Sequence, residues 1–430
     1  MRIVYIAAGA GGTYCEVCKR DIALAQGLMD RGHEVLVFPL YTPLGTEGPA
    51  PVQNRIFFGG INAWLQQNVP LFRRTPRFID WLFDRPSLLR LVCRFAIETD
   101  PSELGEMTVS VLRGRQGHQR KELDRLMDFL ESIESPDVLA LTNSLLSVIG
   151  PEAKERLGVP VICSLEGEEE FVDQLTSPWR EEALELIRSY ARGIDLFTAP
   201  YAEYAEKMRG FLEVAADDVR TISPGIDTSG LHPAGVRPRL PFRVGYCGPV
   251  SRNKGVDLVV RGFERLAEDR RTMGHPPELF MASHPRGDDS RLRESLFQQI
   301  EGSGLDEWVE FGGVLERSER VEFMHRCSVM VMPSRMEELT AVPCLEAMAC
   351  GLPVVASDVG VHREIIERTG GGVLVAPNDD RALAEALAEL RDNPERADEM
   401  GRRAARGVER HFSGGAMAEN MEEIFRELIG

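Results

Sequence analysis

Two glutamates, Glu338 in a predicted loop and Glu346 in the helix that follows it, are of a type that can bind sugar hydroxyl groups. A buried strand is predicted just before them, and open α/β sheets bind their ligands in loops at the carboxyl ends of such strands. The helix start near Ala341 and Val342 offers amide N–H groups that attract an anion. One turn further along, the Glu346 carboxylate can accept two hydrogen bonds from a diol such as a ribose.

These two glutamates taken alone would also fit a solvated loop and an exposed helix face. The residues around them favour a site, because Pro333-Ser334 precedes them at the end of the strand and Ala-Met-Ala-Cys-Gly follows to Gly351.

A second group of candidates follows the predicted strand Phe242–Tyr246. Gly248 comes first, and a loop with Arg252 and Lys254 then leads into a helix. Glycine permits a close backbone approach, and the Lys254 ammonium can neutralise a phosphate. A lysine at a helix start usually faces solvent, but the position of Lys254 after strand, glycine and loop favours contact with phosphate.

The N-terminus repeats this pattern of strand, glycine loop and helix. The strand Arg2–Ala7 leads into a loop with Gly11 and Gly12, although Tyr14 replaces the third glycine of the dinucleotide-binding fingerprint. A plain strand-to-helix turn is the alternative interpretation of this loop. Two such openings about 240 residues apart predict two doubly wound parallel-sheet domains in tandem.

Further strands are apolar on both faces, as expected beneath two layers of helices. They are predicted at Val138–Leu141, Pro160–Leu165, Leu196–Ala199, Leu279–Ala282, Val309–Phe311, Val329–Met332, Val354–Ala356 and Val373–Ala376. The Pro- and Gly-rich segment 232–238 is the candidate linker. We therefore predict domains at 1–236 and 237–413, followed by a helix at 414–430.

Glu166 follows the strand Pro160–Leu165 and begins an acidic segment, 166–170. A solvated acidic loop is the ordinary interpretation of such a run. Its position at a strand end makes Glu166 a candidate catalytic carboxylate.

Composition narrows the classes of partner. The 430 residues carry 68 Asp and Glu against 50 Lys and Arg, a net charge of −18, which argues against binding nucleic acid through bulk charge. No apolar stretch reaches the ~18 residues that a membrane-spanning helix needs, and the N-terminus is typical of a first strand and not of a signal peptide.

Most of the eight Cys lie in apolar runs, which predicts reduced thiols in a cytoplasmic protein.

Cys15 and Cys18 form a Cys-x-x-Cys pair at a helix start. Such a pair can be half of a zinc site or a redox pair, but without a second pair or a His cluster packing is the expected role. The eight His show no ligand spacing, and we predict no metal site.

One segment, Asn62–Ile97, is rich in both Arg and aromatic residues. It is predicted to be a helical insertion in the first domain. Its basic and aromatic side chains would suit contact with an anionic membrane surface or an acceptor pocket, and an ordinary helical core is the third interpretation.

The spacing of Glu338 and Glu346, with the Ala-Met-Ala-x-Gly that follows Glu346, resembles the signature of the family 4 glycosyltransferases, which are retaining enzymes of the GT-B fold. The opening glycine loop, the Pro-Gly-Ile-Asp turn at 224–227, the Lys254-Gly255 pair and the segment 371–377 occur in the family's order, so the resemblance covers essentially the whole chain. It implies two Rossmann-like domains that face each other across a cleft, with the nucleotide sugar held by the second, the acceptor by the first, and the last helix returning to the first domain.

The resemblance also implies roles. Glu346 would hold the ribose, Glu338 would face the donor sugar, and Lys254 would bind the diphosphate, with further donor contacts from Gly11, Gly12, Gly248, Arg252 and the segment Thr340-Ala341-Val342. No cofactor or metal is expected, and the donor would be a UDP- or GDP-linked sugar. The acceptor would be a carbohydrate, a lipid-linked molecule or a small molecule, and the oligomeric state stays open.

Three departures from the family pattern stand out. Pro249 occupies the position of a frequent Arg, Glu166 that of a frequent His, and Thr340-Ala341-Val342 replaces Phe-Gly-Leu. The leading hypothesis is metal-independent glycosyl transfer with retention, by a cytoplasmic protein that could also contact the inner membrane face. A nucleotide-sugar epimerase and a non-catalytic nucleotide-sugar-binding protein are the alternatives.

Overall fold

The chain forms two compact α/β units. The computed structural model describes residues 1–9, 15–42, 44, 52–53, 56–58, 60–74, 104–235, 240–268, 275–283 and 289–430. The first unit comprises Met1–Ser223 together with Met417–Gly430, and the second comprises Pro224–Ala416.

The first unit is built on a six-stranded parallel sheet. Its strands are β1 Arg2–Ala7, β2 Glu34–Pro39, β3 Val138–Leu141, β4 Val161–Ser164, β5 Leu196–Ala199 and β6 Val219–Thr221. Their order across the sheet is β2-β1-β3-β4-β5-β6. The chain therefore reverses its direction of winding between β1 and β3, and such a switch point opens a crevice at the carboxyl ends of the strands.

Helices separate these strands along the chain. They are α1 Glu16–Asp30, α2 Gly60–Asn68, α3 Gly105–Leu112, α4 Arg120–Ser132, α5 Ile149–Leu157, α6 Glu168–Gln174, α7 Trp179–Ala191 and α8 Ala202–Leu212. The strands β3, β4 and β5 are buried along their whole length, as expected for strands covered on both faces.

The second unit repeats the architecture. Its strands are β7 Arg243–Cys247, β8 Glu278–Ser283, β9 Val309–Val314, β10 Val329–Met332, β11 Val354–Ser357 and β12 Gly372–Val375. They pair in parallel in the order β12-β11-β10-β7-β8-β9. The switch point lies between β7 and β10, whose carboxyl ends are followed by the Lys254 loop and the Glu338 loop.

The helices of the second half of the chain are α9 Val256–Leu266, α10 Ser290–Ser303, α11 Arg317–Arg326, α12 Val342–Ala349, α13 His362–Thr369, α14 Asp380–Asp392, α15 Pro394–His411 and α16 Gly414–Ile429. The last of these belongs largely to the first unit. Met417, Met421 and Phe425 are buried in the same apolar cluster as Tyr5 of β1 and Leu28 of α1.

The division into units falls earlier than the boundary predicted after residue 236. The segment from Pro224 packs within the second unit, where Ile226 bridges to Ser413 and the Arg317 guanidinium bonds the Asp227 carbonyl at 2.8 Å. The strands β2 and β6, which the sequence analysis does not predict, lie at the two edges of the first sheet. β6 is only three residues long and two of them are exposed, so it lacks the apolar signature of a buried strand.

The predicted insertion Asn62–Ile97 falls within the described residues only as far as Arg74. Trp64 on α2 is 56% exposed, so this aromatic ring is not core. Residues 75–97 lie outside the described residues, and membrane contact through this segment stays a prediction. Within the described ranges, no helix combines the length and the apolar character that crossing a membrane requires.

Candidate functional site

An ion pair between Lys254 and Glu338 lies at the switch point of the second sheet. The Lys254 ammonium donates to both carboxylate oxygens of Glu338, at 2.9 and 2.8 Å. The loops after β7 and β10 approach closely enough for this contact because Gly255 has φ +73° and no side chain. A Cβ there would lie 1.9 Å from the Pro333 carbonyl oxygen.

Glu338 is buried and yet ionised. Burial alone raises the pKa of a carboxyl group, but the charge of Lys254 and hydrogen bonds from Lys254 and Ser334 outweigh it, so the Glu338 pKa is lowered. His362 is also buried, which lowers its own pKa and favours the neutral ring. The Glu338 side chain is therefore an acceptor of hydrogen bonds and a fixed negative charge.

The backbone of Glu338 is held as firmly as its side chain. The Val361 amide donates to the Glu338 carbonyl at 2.8 Å. Gly360 lies against the same peptide, where a Cβ would come within 2.3 Å of the Glu338 carbonyl oxygen. The loop after β11 thus fixes the loop after β10.

Glu346 lies in the middle of α12 and pairs with Arg320 of α11. Arg320 Nε and Nη2 donate to the two carboxylate oxygens at 3.1 and 3.0 Å, and both side chains are buried. A carboxylate has about four acceptor positions, and the bidentate contact uses two. The remaining two can accept a vicinal diol, which is the role predicted for Glu346.

The start of α12 departs from the sequence analysis in one respect. Ala341 is the N-cap residue and has φ +46° and ψ +41°, the left-handed region that glycine prefers. Alanine is compatible with helical dihedral angles at this position, but the structure does not place Ala341 in that region. Its neighbours Thr340 and Val342 are buried, so the helix starts against the protein interior.

The other predicted donor contacts are less constrained. The Gly248 amide donates to the Ala282 carbonyl at 3.1 Å, which joins the ends of β7 and β8. Arg252 is exposed, and its backbone carbonyl accepts from Arg335. Gly11 and Gly12 lie outside the described residues, so their roles stay predictions.

Glu166, the other predicted catalytic carboxylate, belongs to the first unit. It is buried at the end of β4 and forms an ion pair with Arg20 of α1. Arg20 also bonds its neighbour Asp21, and the Tyr5 hydroxyl donates to Asp21 at 3.3 Å. The charge of Glu166 is thus part of a buried network.

Glu168 and Glu169, the next two glutamates in the acidic segment, also have fixed partners. Glu168 accepts from the backbone amides of Ser144 at 2.9 Å and of Glu166 at 2.6 Å. Its burial raises its pKa to about 7, against the opposing effect of the Ser144 bonds. Glu169 accepts from the Tyr204 hydroxyl at 2.6 Å and from Lys207 at 2.8 Å.

Sequence reasoning missed Arg320, His362 and Arg20. One signal for Arg320 was present: it lies three and four residues before Phe323 and Met324, which are buried on the same face of α11. An arginine on an apolar helix face indicates a buried counter-ion, but the sequence alone does not say which. Across the described ranges, no group of three or more His, Cys, Asp or Glu side chains could hold a metal ion.

Two family models match the sequence in tandem. The glycosyl transferase 4-like domain matches residues 23–225, and the model for glycosyl transferases group 1 matches residues 234–407.

Among curated proteins, the chain is similar to D-inositol 3-phosphate glycosyltransferases. It is 29% identical to the Kineococcus radiotolerans protein over 228 residues, 49% of this chain and 52% of that relative. It is 28% identical to the Paenarthrobacter aurescens protein over 342 residues, 73% and 78% of the two chains. The match thus spans about half the length of some relatives and three quarters of others.

Solved structures share the fold. The sucrose-phosphate synthase of Thermosynechococcus elongatus superposes with a TM-score of 0.67 at 17% identity, covering 100% of this chain and 99% of that one. The Anabaena HepE protein, solved with UDP, gives a TM-score of 0.66 at 18% identity and full coverage of both chains.

Removing the cation from the Arg320–Glu346 pair will destabilise the second unit. Arg320→Leu leaves a buried, uncompensated carboxylate, and we expect a loss of about 3–5 kcal/mol in the free energy of unfolding. The double variant with Glu346→Leu will recover much of this loss. Urea unfolding of both variants measures it, with Arg326→Leu on the same helix as the exposed control. A double variant no more stable than Arg320→Leu would contradict the pairing.

Relieving the left-handed conformation of Ala341 will stabilise the protein. The conformation costs about 1–2 kcal/mol for alanine, and glycine's extra freedom in the unfolded chain offsets part of the gain. We expect Ala341→Gly to add up to about 1 kcal/mol. Ala349→Gly, in the helical part of α12, will lose about 1 kcal/mol. Thermal unfolding of both variants checks this, and a lowered melting temperature for Ala341→Gly would refute it.

Glu168 will make stability depend on pH. The Glu168 pKa is about 7 in the folded protein and 4.5 in the unfolded chain. The protonated side chain therefore contributes its full share to folding stability below pH 4.5, and this contribution is lost as the pH rises from 4.5 to about 7. The stability of the protein relative to Glu168→Gln will fall by up to about 1.4 kcal/mol per pH unit across the window. Urea unfolding at several pH values measures this, with Glu203→Gln on the exposed face of α8 as control. A difference that does not change with pH would contradict the shift.

Proposed function

Because the chain belongs to the family 4 glycosyltransferases and has their GT-B fold, we propose that it transfers a sugar from a nucleotide diphosphate to an acceptor, with retention of anomeric configuration and without an essential metal. The observation that carries the proposal is the Lys254–Glu338 pair at the switch point of the second sheet, beside the segment that bears Glu346.

The proposed chemistry assigns complementary charges. As the bond between the anomeric carbon and the phosphate oxygen breaks, positive charge develops on the sugar and negative charge on the diphosphate. Lys254 and the amides at the start of α12 stabilise the departing diphosphate. Glu338 stays ionised, so it accepts hydrogen bonds from the sugar and stabilises the positive charge, and it does not act as the proton donor.

The proposed donor is a UDP-linked sugar. The Glu346 carboxylate, fixed by Arg320, binds the ribose hydroxyls and leaves the choice of base to other contacts. Support for UDP comes from the Anabaena HepE protein, which was solved with that nucleotide. GDP-linked sugars are the other donors to test.

The acceptor is assigned to the first unit. Inositol 3-phosphate is the acceptor named for the curated relatives and is therefore the first to test. The epimerase alternative would need further carboxylates near the anomeric carbon, for which the acidic segment 166–170 is the candidate, and an epimerised donor is the product that would support it. Binding without turnover remains an outcome of the experiment.

Donor binding is tested by thermal shift with UDP, GDP, ADP, dTDP and their sugar conjugates, first without metal and then with magnesium. A nucleotide at 100 times its dissociation constant stabilises by about 2.7 kcal/mol. We expect UDP and a UDP-sugar to stabilise the metal-free protein. The protein is then incubated with the UDP-sugar and inositol 3-phosphate, and the products are identified by NMR. A glycoside with retained configuration supports the proposal, whereas an epimerised donor or the absence of any product contradicts it.

Variants separate the proposed roles. Glu346→Ala will weaken UDP binding by roughly 1–3 kcal/mol. Lys254→Ala will weaken UDP binding more than uridine binding, and Glu338→Gln will spare UDP affinity but reduce turnover. Glu385→Gln removes an exposed carboxylate of α14 and serves as the matched control. No stabilisation by any nucleotide, or unchanged affinity in Glu346→Ala, would overturn the proposal.

A further inference from the structure

Cys15 and Cys18 lie together at the start of α1. Cys15 is the N-cap residue, with extended backbone angles of φ −148° and ψ 115°, and its sulfur accepts the Cys18 amide N–H at 3.3 Å. Cys15 is partly exposed, whereas Cys18 is buried at 6% exposure. The pair therefore combines a partly exposed cysteine with a buried one that lies in the first turn of the helix.

The two thiols are chemically unequal. Hydrogen bonding from the Cys18 side chain and from the first amides of the helix lowers the pKa of Cys15. The same contact raises the pKa of Cys18, and burial adds to that effect. A partly exposed thiol with a lowered pKa at a helix N-terminus is the arrangement that favours attack on a disulfide.

The other described cysteines have a different setting. Cys163, Cys247, Cys327, Cys344 and Cys350 are all buried. Burial raises the pKa of Cys344 to about 12 and that of Cys163 well above its usual range. Cys163 and Cys344 are therefore protonated, and all five thiols are buried, so they are poor nucleophiles.

We propose that Cys15 and Cys18 are a redox-active pair that cycles between a dithiol and an intramolecular disulfide. The Cys15 thiolate attacks one sulfur of a low-molecular-weight disulfide, forms a mixed disulfide and releases one thiolate. Cys18 loses its proton to solvent and attacks the Cys15 sulfur, which closes the protein disulfide and releases the second thiolate. Two electrons pass from the protein to the small disulfide, and excess thiol reverses both steps.

The location gives the pair a consequence beyond its own chemistry. Arg20 and Asp21 follow Cys18 on α1 and form the buried network that holds Glu166. Closing the disulfide converts the sulfur that caps the first turn of this helix from a thiol or thiolate into a neutral disulfide sulfur. The redox state of the pair therefore acts on the helix that positions Glu166.

The experiment uses the full chain with Cys93→Ser, because Cys93 lies outside the described residues. The folded protein is equilibrated in buffers of oxidised and reduced glutathione, quenched with acid, alkylated and digested with trypsin. Cleavage after Arg2 and Lys19 places both cysteines in one peptide, 3–19. We expect this peptide to lose two hydrogen atoms in oxidised glutathione, to escape alkylation, and to return to the dithiol in reduced glutathione.

Two variants test the order of events. Cys18→Ala will trap glutathione on Cys15, while Cys15→Ala will leave Cys18 unmodified. The pH dependence of Cys15 alkylation adds a readout that a packing role would not change. Cys18→Ala keeps the backbone amide but removes the hydrogen bond from the Cys18 thiol, so the alkylation midpoint will shift to higher pH. A 3–19 peptide that stays fully reduced in oxidised glutathione, or glutathione attached to Cys18 and not to Cys15, would overturn the proposal. None of these measurements depends on glycosyl transfer.

Discussion

A carboxylate buried at the end of a parallel sheet needs a cation buried with it, and this requirement organises the candidate site. Isolated, each charge would cost several kcal/mol to remove from water. Lys254 meets Glu338, and Arg320 meets Glu346 through two hydrogen bonds. The cations thus fix the carboxylates as well as neutralise them, so the acceptor oxygens are in place before a ligand arrives.

Sheet topology brings these partners together. Lys254 and Glu338 are 84 residues apart, yet the strands β7 and β10 that precede their loops are neighbours in the sheet. All strands are parallel, so both loops leave the same edge. Gly255 and Gly360 then let backbones approach at distances that a side chain would prevent.

The sequence predicted both residues of the Lys254–Glu338 pair, though not their contact, and only the carboxylate of the Arg320–Glu346 pair. Glu338 and Glu346 could be identified from their spacing, and most strands from their apolar runs. Arg320 could not be assigned to Glu346, because α11 and α12 are brought together by the fold and not by any local pattern. The left-handed backbone angles of Ala341 could not be predicted from the sequence either. Alanine ordinarily favours the right-handed helix, and packing around the N-cap overrides that preference.

The last helix has a consequence for how the protein is made. Residues from Met417 complete the apolar cluster that also contains β1 and α1, so the first unit contains both early and late parts of the chain. During synthesis, the second unit leaves the ribosome before the first has all its core residues. The N-terminal sheet must therefore wait with an uncovered apolar face, and a fragment ending at Ser223 would be prone to aggregate even though the second unit is separately compact.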